Sequence, residues 1–141
     1  MTFTEQAFLN EATQELLQHN SLPADDISEK TRFFTLATED GLSGMIGWEI
    51  HGNHALLRSL AVPASARGKG YGSLLVAHLE AHICSLNVTE LYLLTTTAEA
   101  FFTGRNYQVI SRSDVPEIML EASEFTTACP ASAIVMKKTL V

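Results

Sequence analysis

An α+β domain built on a mixed sheet is what this sequence predicts, and three observations predict it. Strand-forming runs between residues 32 and 62 are separated by two turn signals. The apolar period then becomes helical after residue 70, and a short, uniformly apolar strand follows at residues 91–94. An antiparallel meander therefore leads into a strand–helix–strand crossover, in a mixed sheet with helices on both faces. A length of 141 residues suffices for one continuous core, so residues 1–141 are expected to form a single domain.

The elements follow in order. Thr2 with Glu5 three residues later has the form of a capping box, and Phe8, Leu9, Ala12, Leu16 and Leu17 recur at helical spacing, predicting a helix over residues 4–19. Residues 20–30, with Pro23 and two aspartates, read as loop or a short turn of helix. Residues 32–36 form a strand that ends at Asp40-Gly41, a strong hairpin signal. Residues 45–50 form the next strand, His51-Gly52-Asn53-His54 a turn, and residues 55–62 a third strand. Leu74, Leu75, His78, Leu79, His82 and Ile83 mark a helix over residues 70–86 with Asn87 as its cap. Thr96 and Glu99 have the form of a second capping box, opening a short helix to Gly104. Residues 107–111 read as a strand, 116–125 as a helix with Pro116 in its first turn, and 133–137 as the closing strand.

Composition narrows the function. A formal net charge of −7, from 9 basic and 16 acidic side chains, argues against a nucleic-acid partner, which requires a basic face. It leaves room for a small anionic ligand held by a local basic loop. There is no basic n-region or apolar h-region at the start, and no apolar run near the roughly 20 residues that span a bilayer, so no membrane partner is expected. Cys84 and Cys129 read as reduced thiols, and the expected location is cytoplasmic.

The most informative segment is Arg67-Gly68-Lys69-Gly70-Tyr71-Gly72, set between a strand and a helix. Such a loop aims successive backbone N–H groups at one point while the helix dipole adds positive potential. Glycine lets the backbone approach an oxyanion closely, and Arg67 and Lys69 add charge, so the loop suits a phosphate or pyrophosphate. The alternative is a tight strand-to-helix turn with two exposed basic residues. The loop lacks the Gly-Lys-Ser/Thr ending of a P-loop and is one glycine short of a dinucleotide fingerprint.

With Leu60-Ala61-Val62-Pro63 before it and Leu74-Leu75 after it, this segment resembles the Arg/Gln-x-x-Gly-x-Gly/Ala signature of the GNAT superfamily of acetyl-CoA-dependent N-acetyltransferases. The strand at residues 91–95 and the helix ending in Phe101-Phe102-Thr103-Gly104-Arg105-Asn106-Tyr107 match that family's next two elements, and the resemblance runs over residues 31–138. Residues 56–62, 90–98 and Cys129-Pro130-Ala131-Ser132-Ala133 are further similar to the branch encoded in arsenic-resistance operons.

The resemblance implies acetyl-CoA as co-substrate, no metal, and a small-molecule amine as acceptor. The backbone of Leu60, Ala61 and Val62 would hold the pantetheine arm, with the Val62 N–H as oxyanion donor. The N–H groups of Arg67, Gly68, Lys69, Gly70, Tyr71, Gly72 and Ser73 would hold the pyrophosphate. Thr96, Thr97 and Phe102 would line the cofactor's other side. Relatives usually begin with a strand, which here would be a stub or missing, so a partner subunit in a homodimer is a way to complete the acceptor wall.

Proton transfer is less legible. Many relatives carry a carboxylate on the strand before Leu60, where this chain has Arg58 and Ser59; Glu49, His51, His54 or a water relay are the candidates for a base. Many relatives have tyrosine where this chain has Phe102, which leaves Tyr107 as a candidate acid. Arg58 shares strand parity with Leu60 and Val62 and suits either the anionic group of an acceptor or a structural ion pair with Glu49 or Glu90. Cys129 is a candidate for lining the acceptor pocket, and Cys84 reads as core. His78 and His82 stand one helical turn apart, with no third ligand to complete a metal site. The expected activity is acetyl transfer to a small, anionic amine such as an amino acid or an analogue; the alternative is a non-catalytic acyl-CoA sensor.

Overall fold

The computed structural model describes residues 1–24, 26–120 and 133–140. Its strands are Thr2–Gln6 (β1), Arg32–Thr38 (β2), Gly41–His51 (β3), His54–Ala61 (β4), Glu90–Thr95 (β5), Gln108–Ile110 (β6) and Ile134–Thr139 (β7). Its helices are Glu11–His19 (α1), Tyr71–Ser85 (α2), Glu99–Thr103 (α3) and Glu117–Leu120 (α4). The strands form one mixed sheet in the order β1-β2-β3-β4-β5-β7-β6.

The meander β2–β3–β4 turns at Gly41 and Gly52, both at positive φ where glycine carries no Cβ penalty. Helix α2 then crosses over and returns the chain to β5, parallel to β4, as the sequence predicts. Alternate side chains of each strand go to opposite faces. Phe34, Leu36, Ile46, Trp48, Leu57 and Leu91 pack against Leu75, Val76, Leu79 and Ile83 of α2. On the other face Phe33, Met45 and Ala61 meet Leu16 and Leu17 of α1, while Leu56, Tyr92 and Val135 meet Val115 and Met119 by α4. Gly44 permits the close seating of α2 on β3: a Cβ there would stand 2.6 Å from Leu75 Cδ1.

Three local expectations are corrected. Residues 2–6 are a strand, paired from Thr2↔Ala37 to Gln6↔Phe33, and α1 begins only at Glu11. The backbone of β1 completes the edge of β2, an interaction that the Thr2/Glu5 pattern cannot signal. Asn10 is the actual cap: its side chain accepts from the Thr13 N–H at 2.9 Å and its own N–H donates to Thr13 Oγ1 at 2.9 Å. The first strand is therefore present, and the reason for asking a partner subunit to replace it falls away. Third, Thr95 rather than Thr96 serves the start of α3, its hydroxyl accepting from Ala98 N–H at 3.0 Å. The second half of the helix predicted over residues 116–125, and Cys129, lie outside the described residues.

Candidate active site

Strands β4 and β5 pair over three positions only, from His54↔Glu90 to Leu56↔Tyr92. Beyond that point a bulge bends β4. Met45 faces Ala61 but Gly47 faces Arg58, so β4 carries one extra residue, and Ser59 absorbs it at φ +57°. A cleft of about 260 Å³ opens where the strands part. Residues 57–60 form one wall, residues 93–98 with Phe102 the other, and residues 20–23 after α1 close a third side. Strand edges that stop pairing leave backbone N–H and C=O groups free to meet an extended ligand.

The glycine-rich loop lies between the end of β4 and the start of α2. Gly68 and Gly70 adopt φ +81° and +82°, and nothing stands within 4 Å of a Cβ built on either. Gly70 is the N-cap of α2 and brings no side chain, and among the described residues no other side chain caps that helix start, where the N–H groups of residues 71–73 precede the first intrahelical bond, from Leu74 to the Gly70 carbonyl. Arg67 donates from Nη2 to Asn20 Oδ1 at 2.8 Å and from Nε to the Val62 carbonyl at 3.4 Å, tying the loop to the residue-20 wall. Lys69 lies 3.9 Å from Asp40 with both side chains well exposed, a contact of little energetic weight.

Behind the cleft is a buried ionic network. Arg58, 2% exposed, donates from Nη1 and Nη2 to the two oxygens of Asp26, each at 2.6 Å. Its Nη1 also donates to Glu49 Oε2 at 2.9 Å, and its Nε to the Ser59 hydroxyl at 3.2 Å. Glu49 Oε2 accepts from Thr31 Oγ1, and Glu49 Oε1 lies 2.9 Å from His51 Nε2. The ion pair with Glu49 raised by the sequence is thus formed. Asp26, which no sequence signal marked, is the second carboxylate.

The structure brings Arg58, Leu60, Thr96, Thr97 and Phe102 to the cleft lining. Ala61 instead turns its side chain to the α1 core, and Val62 follows the last residue of β4. Glu49 and Tyr107 are outside the lining among the described residues. Tyr107, the candidate acid, is buried, and its hydroxyl donates to Glu80 Oε2 at 2.8 Å, with burial beside Glu80 pushing the phenol up. His54 faces Glu90 at 2.7 Å, and Lys137 holds that carboxyl below its ordinary range. His78 stacks on Phe3, ring centroids 4.0 Å apart, and burial with His82 nearby lowers its pKa. Cys84 is exposed, against its expected place in the core, because it lies on the outward side of α2. Among the described residues no three His, Cys, Asp or Glu side chains group as metal ligands, and no helix is long and apolar enough to cross a membrane.

Parallel strands that part into a cleft, on a chain that runs from there into a glycine-rich helix start tied to the cleft wall through Arg67 and Asn20, make a site suited to an extended ligand with an anionic end. The acetyltransferase (GNAT) family matches residues 3–105, and this chain belongs to that family. Among solved structures, a Mycobacterium tuberculosis protein in complex with CoA and NLQ superposes with a TM-score of 0.78 at 16% identity, covering 98% of this chain and 99% of that one. An aminoglycoside 6'-N-acetyltransferase complexed with coenzyme A gives 0.74 at 18% identity, covering 100% and 98%. N-acetylglutamate synthase from Neisseria gonorrhoeae, complexed with coenzyme A and N-acetyl-glutamate, gives 0.76 at 16% identity; all of this chain matches 36% of that one. At these identities the likeness is one of fold.

Proposed function

We propose that this chain transfers the acetyl group of acetyl-CoA to the amine of a small, anionic acceptor, an amino acid or an analogue of one. The observation that carries the reading is the parting of β4 from β5 into a cleft, on the strand that leads directly into the glycine-rich start of α2, with Arg67 of that loop tied to Asn20 of the cleft wall. An amide-bearing pantetheine arm fits between two strand edges, and a pyrophosphate fits the N–H groups of residues 67–73, where Gly68 and Gly70 leave open space. The co-substrate supplies an activated acetyl thioester. Leu60 and Ala61 hold its arm by their backbone, the Val62 N–H is the donor for developing oxyanion charge, and Thr96, Thr97 and Phe102 form the opposing wall. Catalysis on this account rests on positioning, which supplies roughly 7–11 kcal/mol in favourable intramolecular cases.

Proton transfer is assigned neither to Glu49, committed to Arg58, Thr31 and His51, nor to Tyr107, which faces Glu80. Water removes the amine proton, and a thiol that ordinarily titrates near pH ~8.5 leaves as thiolate. Arg58 lines the acceptor side of the cleft, but Asp26 and Glu49 more than offset its charge, so its role there is to hold the cleft wall in place rather than to attract the acceptor's anionic group. The similarity of residues 56–62 and 90–98 to the arsenic-resistance branch brings phosphinate and arsenical amino acids into the set of acceptors to test, and the reading of Cys84 and Cys129 as reduced thiols supports a cytoplasmic location. The test compares each amino acid with the amine lacking its anionic group: kcat/KM falls at least tenfold for the truncated amine. Equal kcat/KM for the two would remove the anionic-acceptor reading.

A further inference from the structure

We propose that Arg105 forms a subsite for the 3′-phosphate of the cofactor, so that the protein discriminates CoA from dephospho-CoA; this rests on the acetyl-CoA reading above. A second cavity, of about 340 Å³, lies against α2 away from the acetyl-transfer cleft. Ser73, Val76, Ala77 and Glu80 form one stripe of the helix along its wall, and residues 104–106 with Lys138 form the other side. From Ser73 to Glu80 the helix rises about 10 Å, so the cavity runs back from the phosphate loop along the cofactor's anionic end.

Its charges are unequally committed. Lys138 Nζ donates to both Glu80 oxygens, at 3.0 and 3.1 Å, and the Tyr107 hydroxyl donates to the same carboxylate. Lys138 and Glu80 therefore offset one another. Arg105 has neutral partners only: Nη1 donates to the Phe101 carbonyl at 3.1 Å and Nη2 to the Ser73 hydroxyl. Among the described residues no carboxylate forms an ion pair with it, and its buried Nε–H has no hydrogen-bond partner. The guanidinium is nevertheless fixed in place, stacked 3.9 Å over the Phe101 ring, which itself packs against Gly72 of the phosphate loop.

A chain of net charge −7 thus holds an uncompensated cation next to the proposed pyrophosphate site, with a donor fork matched to a phosphate monoester. Ser73 joins the two sites, its backbone belonging to the phosphate loop and its hydroxyl to Arg105. A phosphate that binds here replaces neutral partners with charge-assisted ones and gives Arg105 the counter-charge it lacks.

Titration calorimetry with CoA and dephospho-CoA tests this without altering the protein. The wild-type chain binds CoA about tenfold more tightly. Arg105→Gln lowers that ratio below about twofold and leaves the Kd for dephospho-CoA unchanged, while Arg105→Lys, which keeps the charge but not the fork, retains part of the preference. Equal wild-type affinity for the two ligands would overturn the subsite and leave the acetyl-CoA reading standing. A preference that survives in Arg105→Gln would equally overturn it. Failure of both ligands to bind the wild-type chain would overturn the subsite and the acetyl-CoA reading together.

Discussion

Replacing Arg58 by alanine removes the cation shared by two carboxylates that are almost wholly buried. Asp26 loses two charge-assisted hydrogen bonds and Glu49 one, while Glu49 retains Thr31 and His51. Removing one partner of a buried ion pair costs about 3–5 kcal/mol, because the remaining charge stays desolvated. For 141 residues the unfolding entropy is about 0.3 kcal/mol per degree, so the melting temperature falls by about 10–17 °C. Arg58→Lys recovers only part of this, since an ammonium cannot reproduce the two-point contact with Asp26. Thermal unfolding followed by circular dichroism measures the loss. Kinetics well below the new midpoint then separate the roles, with the acceptor KM of Arg58→Ala rising at least fivefold more than that of acetyl-CoA. A melting temperature lowered by under about 3 °C, with both KM values unchanged, would refute both the energetic role and the acceptor role of Arg58.

Gly70→Val introduces a β-branched residue at φ +82°, costing about 1–2 kcal/mol of backbone strain, and places a side chain where the pyrophosphate is proposed to lie. The variant folds but loses CoA affinity by calorimetry at least a hundredfold; normal CoA binding would count against the phosphate-loop assignment. His78, its pKa lowered by burial and then by His82, binds protons less readily folded than unfolded. Its contribution is therefore present above pH 6.5 and lost as pH falls from that value through its lower folded pKa. His78→Phe keeps the stacking on Phe3 and flattens this part of the stability–pH curve; an unchanged curve would show that other groups set it. Glu90, held down chiefly by its hydrogen bond to Lys137, stabilises above pH 4.5 and ceases to as pH falls below that, so Glu90→Gln has a shallower acid limb in pH-dependent unfolding. An acid limb as steep as the wild type's would exclude that contribution.

Much of this was legible before the structure, and the exceptions share a cause. The meander, the crossover helix and the buried run at residues 91–94 announce themselves through period and turn residues, which are local properties. The glycine-rich loop is legible for the same reason: Gly68 and Gly70 occupy positions whose φ only glycine adopts readily. Strand β1 was misread because its pairing with β2 is made thirty residues away, and a capping pattern in sequence does not reveal competition from a sheet edge. Ser59 carries the bulge that opens the cleft, yet serine at positive φ has no sequence signature. Asp26 sits in a loop with no motif, and only the fold brings it to Arg58. Tyr107 occupied a suggestive position in the chain, but the turn of α3 directs its hydroxyl to Glu80 rather than into the cleft. Asn20 and its neighbours on the third wall were likewise silent, since a loop's role depends on what lies opposite it.

The central claim is that this chain moves an acetyl group from acetyl-CoA to an amine, and free-thiol release from acetyl-CoA tests it most directly. The panel comprises amino acids, phosphinate and arsenical amino acids, and polyamines, each against a control without acceptor. The account predicts acceptor-dependent thiol release with the amino-acid or analogue class, and little with polyamines. Tight CoA binding with no acceptor-dependent release from any class would contradict it.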